Sequence, residues 1–100
     1  MPAVVFLPGA LEDLERLRDF LADADLVVAN ETILLISEAV NILAVHPLIG
    51  RPADRSWREL VVSRGRSGYV VLYRYDERNE KVLVSAIRHQ REAGFDPERL

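Results

Sequence analysis

WRELVVSRGRSGYVVLYRYDERNEKVLVSAIRH, residues Trp57 to His89, is the stretch on which the fold turns. Apolar residues recur with period two through Trp57 to Ser63, Tyr69 to Tyr75 and Lys81 to Arg88, and all three runs are rich in Val, Leu, Ile and Tyr. Three strands are expected. The connections Arg64-Gly65-Arg66-Ser67-Gly68 and Asp76-Glu77-Arg78-Asn79-Glu80 are short and turn-like, so neighbouring strands should pair as antiparallel hairpins. Tyr69, Val71, Tyr73 and Tyr75 fall on one face of the middle strand. Packing against cross-strand neighbours is the ordinary use of such residues, and of Trp57 too.

Upstream of the meander the period changes. Ala3 to Leu7 reads as a short strand punctuated by Pro8-Gly9. Leu11, Leu14, Leu17 and Leu21 then recur at helical spacing, with Glu12, Asp13 and Glu15 expected in the first turn, where the helix dipole favours negative charge. Asp23-Ala24-Asp25 supplies a turn and an N-cap for a second helix of roughly twenty residues, marked by Ala29, Ile33, Ile36, Val40 and Leu43. Leu34, Leu35 and Ile42 widen its apolar surface beyond one stripe, so more than one side of it needs cover. His46-Pro47 should end it, because a residue before proline avoids the α region. His46 there suits a capping role at the negative end of the dipole. Pro47 to Ser56 reads as a polar loop in which Gly50 could supply a positive φ.

The expected architecture is α+β: a strand, a helical hairpin on one face of a sheet, and a three-stranded antiparallel meander. With 100 residues, 49% of them apolar, and ten Gly plus Pro, one ordered domain spanning 1–100 is expected. Cysteine is absent, which excludes disulfides and thiolate metal sites and fits a reducing compartment. No apolar run looks long enough for a signal peptide or a membrane span, so the expected location is cytoplasmic, with no membrane partner. Two histidines 43 residues apart give no metal-ligand spacing, and neither a Gly-rich phosphate loop nor a nucleophile elbow occurs. No metal or cofactor is expected.

Charge is distributed unevenly. Residues 1–50 carry two arginines against eight acids, while residues 51–91 carry nine arginines and one lysine against five acids. An anionic partner should therefore meet the second half, since the local field governs attraction.

Five patterns, in this order and with these elements between them, carry a family resemblance. They are Ala10-Leu11-Glu12-Asp13-Leu14, Pro47-Leu48-Ile49-Gly50-Arg51-Pro52, Arg58-Glu59-Leu60, Tyr69-Val70-Val71-Leu72-Tyr73-Arg74 and Ile87-Arg88-His89-Gln90-Arg91-Glu92. Across nearly its whole length the chain resembles the RelE/ParE superfamily of type II toxins, and within it the ParE branch. The resemblance implies one of two activities. RelE-type toxins cut messenger RNA on the ribosome, which requires an acid, a base and cations for phosphate. Candidates here are His89 with Arg91 as weak catalytic residues, and Arg74 and Arg88 as clamps; on a strand His89 and Arg91 point one way and Arg88 the other. The RelE pattern has lysines on the second strand, an arginine after Gly-Tyr on the third and a tyrosine near the C-terminus, where this chain has Val61, Val62 and Ser63, then Val70, then Phe95 and Pro97.

ParE-type toxins, by the same resemblance, block DNA gyrase by binding. Arg51, Arg58, Arg74, Arg88, His89 and Arg91 would then contact the target, with His89 a packing or hydrogen-bonding residue. Either branch implies a cognate antitoxin, ParD-like or of another class. Leu34, Leu35 and Ile42 are the expected dock for its helix, open sheet edges are sites for strand addition, and a homodimer or a heterotetramer with antitoxin could result. A non-toxic remnant that only binds its antitoxin would keep the same core.

Overall fold

A computed structural model describes residues 1–92. Its elements are β1 (Ala3–Phe6), α1 (Pro8–Ala22), α2 (Leu26–Asn41) with a 3-10 continuation (Ile42–Ala44), β2 (Arg51–Pro52), β3 (Trp57–Arg64), β4 (Ser67–Asp76) and β5 (Lys81–His89). They form one five-stranded sheet in the order β1-β5-β4-β3-β2. The meander pairs antiparallel as expected, and β1 adds parallel to β5. Phe95 and Pro97 lie outside the described residues.

Several expectations change at the helices. Pro8 and Gly9 do not separate β1 from α1; they open the helix, with Pro8 at its first position. There the missing N–H costs nothing and the fixed φ suits the helix. The first turn therefore precedes Glu12, Asp13 and Glu15 and holds no acid. The buried stripe is Ala10, Asp13 and Leu17, with Leu14 half-buried and Leu11 exposed. Asp25 caps α2 as expected, its carboxylate accepting from the N–H groups of Val27 and Val28 at 2.9 and 3.2 Å.

From Leu26 to Ala44 the chain is helical for 19 residues at a mean hydropathy of 1.6, long and apolar enough to cross a membrane by length and composition alone. This corrects the expectation that no segment reaches that length. One stripe of the run, through Ala29, Thr32, Ile36, Val40 and Leu43, is buried within this domain. Arg64 fastens that stripe to β3: its guanidinium donates to Thr32 Oγ1 at 2.6 Å and pairs with Glu31 at 2.9 Å.

The core is a single cluster between the helical hairpin and one face of the sheet. Leu17, Ile36, Val40 and Leu43 meet Val62, Tyr69, Val71, Tyr73, Val82, Val84 and Ile87 there. Burying each of the aliphatic side chains contributes about 1.5–3 kcal/mol before chain entropy is subtracted. Val70, Leu72 and Ala86, on the far face, are also buried. The apolar run of β4 from Tyr69 to Tyr73 is thus buried on both sides, as a central strand can be.

Two irregularities of the sheet position the side chains at its ends. Leu72 pairs with Ala86 but Tyr73 pairs with Val84, so Ser85 is an extra residue in β5. This bulge reverses the alternation: Val82 and Val84 face the helices, and beyond it Ile87 and His89 do. The loop expected from Pro47 to Ser56 also contains β2, whose Arg51 and Pro52 pair with Glu59 and Arg58. Gly50, just before β2, does not take the positive φ expected of it; Gly65 does, at 56°. Gly50 is needed for close approach instead. A Cβ there would lie 2.6 Å from the Tyr73 ring and 2.8 Å from Glu59 O.

Candidate functional site

The six residues expected to meet a target divide among three places. Arg58 sits at the corner between β2, β3 and the loop before them. Its Nη1 donates to Leu48 O at 3.2 Å and to Gly50 O at 2.8 Å, while Gly50 N–H donates to the Tyr73 hydroxyl at 2.8 Å. These bonds hold the loop against the sheet, so Arg58 is a structural residue. Burial pushes the Tyr73 hydroxyl above its ordinary range, against the opposing pull of the Gly50 N–H and the Arg58 charge.

Arg51, Arg74 and Arg88 share the face of the sheet turned away from the helices, as their pairing with Glu59, Leu83 and Val70 requires. Arg51 pairs with Glu59 at 3.1 Å. Arg74 lies 5.8 Å over the Trp57 ring, and its Nε is buried without a hydrogen-bond partner among the described residues. A guanidinium on an indole face gains about 0.5–2 kcal/mol of cation–π attraction while keeping its in-plane N–H groups for another acceptor. Arg88 directs Nη1 to the carbonyls of His89, Gln90 and Glu92 at 3.2–3.3 Å and so shapes the end of β5.

His89 lies on the helix side, opposite Arg88 as alternation expects, while Arg91 falls in the turn after β5 rather than on the strand and reaches the same cleft from there. They border a cleft of about 640 Å³ between α1 and the ends of β4 and β5, with Arg16, Leu17, Phe20, Leu21, Ser67, Tyr69 and Glu92. His89 stacks edge-on against Tyr69 with ring centres 5.3 Å apart. Its Nδ1 accepts the Arg91 backbone N–H at 3.0 Å, which leaves Nε2 as the nitrogen that carries the proton.

Sequence reading overlooked the groups that build this end of the fold. Past Val84, where β1 has ended, Asp13 Oδ2 accepts the Ile87 N–H at 2.9 Å and Arg16 Nη2 donates to Ile87 O at 3.4 Å. Arg16 Nη1 also pairs with Glu92 at 2.9 Å, and the other Glu92 oxygen accepts the His89 N–H at 2.8 Å. A signal was present: Asp13 stands between Ala10 and Leu17 at helical spacing, and an acid on a buried stripe needs a partner. Among the described residues, no group of three or more metal-ligating side chains comes together.

On α2, Leu34 and Ile42 are exposed, at 59% and 42%. Leu35 is half-buried and packs against the core, so Leu34 and Ile42 are the exposed members of the expected docking set. The exposed apolar strip continues instead through Val45, Leu48 and Ile49.

This strand, helical hairpin and meander match known proteins. Residues 4–94 match the family described as the ParE toxin of the type II toxin-antitoxin system parDE. The chain belongs to that family. Toxin RelE3 of Caulobacter vibrioides is 37% identical over 92 residues, covering 92% of this chain and 98% of that toxin. Two solved structures share the toxin's fold. The chromosomal ParDE system from P. aeruginosa superposes with a TM-score of 0.74 at 19% identity, over 89% of this chain and 96% of the other. The toxin-antitoxin complex RelBE2 from Mycobacterium tuberculosis gives 0.66 at 24% identity, over 90% and 100%. The toxin therefore has the α+β architecture common to both branches of the superfamily.

Proposed function

We propose that the toxin acts by binding and blocking DNA gyrase, in the cytoplasm, and that a cognate antitoxin restrains it. The observation that carries this reading is the make-up of the helix-free face. Arg74 is stacked on Trp57 there, in line with Arg51 and Arg88. The carboxylates beside them are Glu59, already paired with Arg51, and Asp76, hydrogen-bonded by Asn79, while His89 is on the opposite face. Such a surface suits recognition of an acidic or phosphate-bearing partner by charge-assisted hydrogen bonds better than the paired acid and base of RNA cleavage. Arg58 drops out of the contact set because it pairs with Tyr73 on the helix side and its hydrogen bonds hold the loop, whereas Arg88, also bonded to carbonyls, stays on the far face.

The antitoxin's dock in this reading is the exposed apolar strip from Leu34 and Ile42 to Val45, Leu48 and Ile49, which an amphipathic helix would cover. Both solved relatives are described as toxin-antitoxin systems.

A supercoiling assay with purified gyrase tests the target. Added toxin should abolish introduction of supercoils, and full activity at large toxin excess overturns the reading. Cleavage of ribosome-bound messages by the same preparation would replace it with the ribonuclease alternative.

A further inference from the structure

The cleft beneath α1 lies on the helix side of the sheet, away from the arginine face assigned to gyrase. Its composition is two-sided. One wall is apolar, formed by Leu17, Phe20 and Leu21, and Phe20 is 74% exposed at its rim. The other wall carries Ser67, His89 and Arg91. The Arg16 charge at the cleft is balanced by Glu92 at 2.9 Å. By contrast, the Arg91 side chain makes no hydrogen bond or ion pair among the described residues, and His89 Nε2 keeps its N–H because Nδ1 already accepts the Arg91 amide. Among the described residues the cleft thus presents one uncompensated cation and one ring N–H donor together with an exposed aromatic ring. Its volume lies in the range of sites that enclose a few side chains.

We propose that this cleft binds a short peptide segment that places a large apolar side chain beside a carboxylate. The apolar group would cover Phe20 and Leu21, and the carboxylate would accept from Arg91 and from His89 Nε2. Charge complementarity selects this occupant: one unpaired guanidinium matches one carboxylate. A run of phosphodiesters would instead bring several charges up to Glu92 with a single free arginine to meet them. The cleft would serve this role whether or not gyrase is the target, and the experiment that tests it contains no gyrase.

The experiment is an NMR titration of the isotope-labelled full chain with the capped tetrapeptide Leu-Phe-Asp-Gly. Saturable shifts are expected at Ser67, Tyr69, His89 and Arg91. Phe20→Ser and Arg91→Gln should each weaken binding about tenfold, the cost of one apolar contact or one charge-assisted hydrogen bond, and Arg78→Gln in the distant β4–β5 turn should not. The Leu-Phe-Asn-Gly peptide should bind about tenfold more weakly, for the same lost charge. Phe20 and Arg91 are both exposed, so these variants should fold as the parent does. Absence of saturation, shifts centred elsewhere, or full affinity in both variants overturns the proposal. So does preferential binding of a short uridine oligonucleotide at the same residues. Shifts at the cleft that grow with protein concentration alone would show that a second copy of the chain occupies it, which also overturns the proposal.

Discussion

The two sides of β4 are built from almost equally apolar residues and do different things. Tyr69, Val71 and Tyr73 face α1 and α2 and join the central cluster, while Val70, Leu72 and Arg74 face away from both helices. On the helix side, away from the cleft at its end, polar atoms are tied inward: the Tyr73 hydroxyl to Gly50, Arg64 to Thr32, Asp13 to Ile87. On the far side Arg74 rests on Trp57 with a nitrogen left over. Stability should concentrate on the first side and, in the gyrase reading, target contact on the second.

Substitutions can break that contrast. The largest effect is expected from Ile36→Ala, which opens a cavity under the helical hairpin and should cost about 3–4 kcal/mol in urea unfolding. A loss below about 1 kcal/mol would mean that the hairpin is loosely packed. Next comes Gly50→Ala. The added methyl would lie 2.6 Å from the Tyr73 ring, and prying the loop from the sheet should cost about 2–3 kcal/mol by thermal melting.

Arg74→Met sharpens the contrast from the other side. It removes a cation–π contact and an unpartnered buried N–H together, so unfolding free energy should move by less than about 1 kcal/mol. Inhibition of supercoiling should nevertheless weaken about tenfold. Unchanged inhibition would remove the far face from target contact.

The smallest effects are on pH dependence. Burial pushes the Tyr69 hydroxyl above its ordinary 10.0, with the Arg64 charge pulling the other way. Stability is then intact below that pH and falls as pH climbs towards the raised folded value, because the unfolded chain releases its phenolic proton first. Tyr69→Phe should flatten this alkaline loss in melts taken across the range. Asp76 has the opposite sign: hydrogen bonds from Asn79, the side-chain one first, hold its carboxyl below 3.8. Its contribution is present above that value and disappears as pH falls through the lower folded one. Asn79→Ala should shrink that small acid-side slope without abolishing it, because the residue 79 backbone N–H and the Arg74 and Lys81 charges remain.

Much of the fold is legible in the chain because side-chain period reports local conformation. Period two marks the meander, and Ala29, Ile36, Val40 and Leu43 mark the buried stripe of α2. The stripe of α1 reads one residue out of phase, because four leucines outweigh Asp13, whose burial depends on a partner 74 residues away. β2 is illegible for a related reason, since two residues beside a proline carry no period. At the candidate site, alternation correctly separates His89 from Arg88, but it cannot show that Arg58 is committed to the carbonyls of Leu48 and Gly50.

The sequence by itself determined every element but β2, their order, the cap at Asp25, the charge asymmetry and the family, because each depends on neighbours along the chain or on patterns spanning it. Only the tertiary structure decided which arginines share a surface. Ser85, an extra residue in β5, reverses every side chain after it, turning His89 under α1 and Arg88 to the open face. Whether a bulge forms depends on how two strands register against each other, and that is settled by packing across the sheet rather than by any residue in the strand.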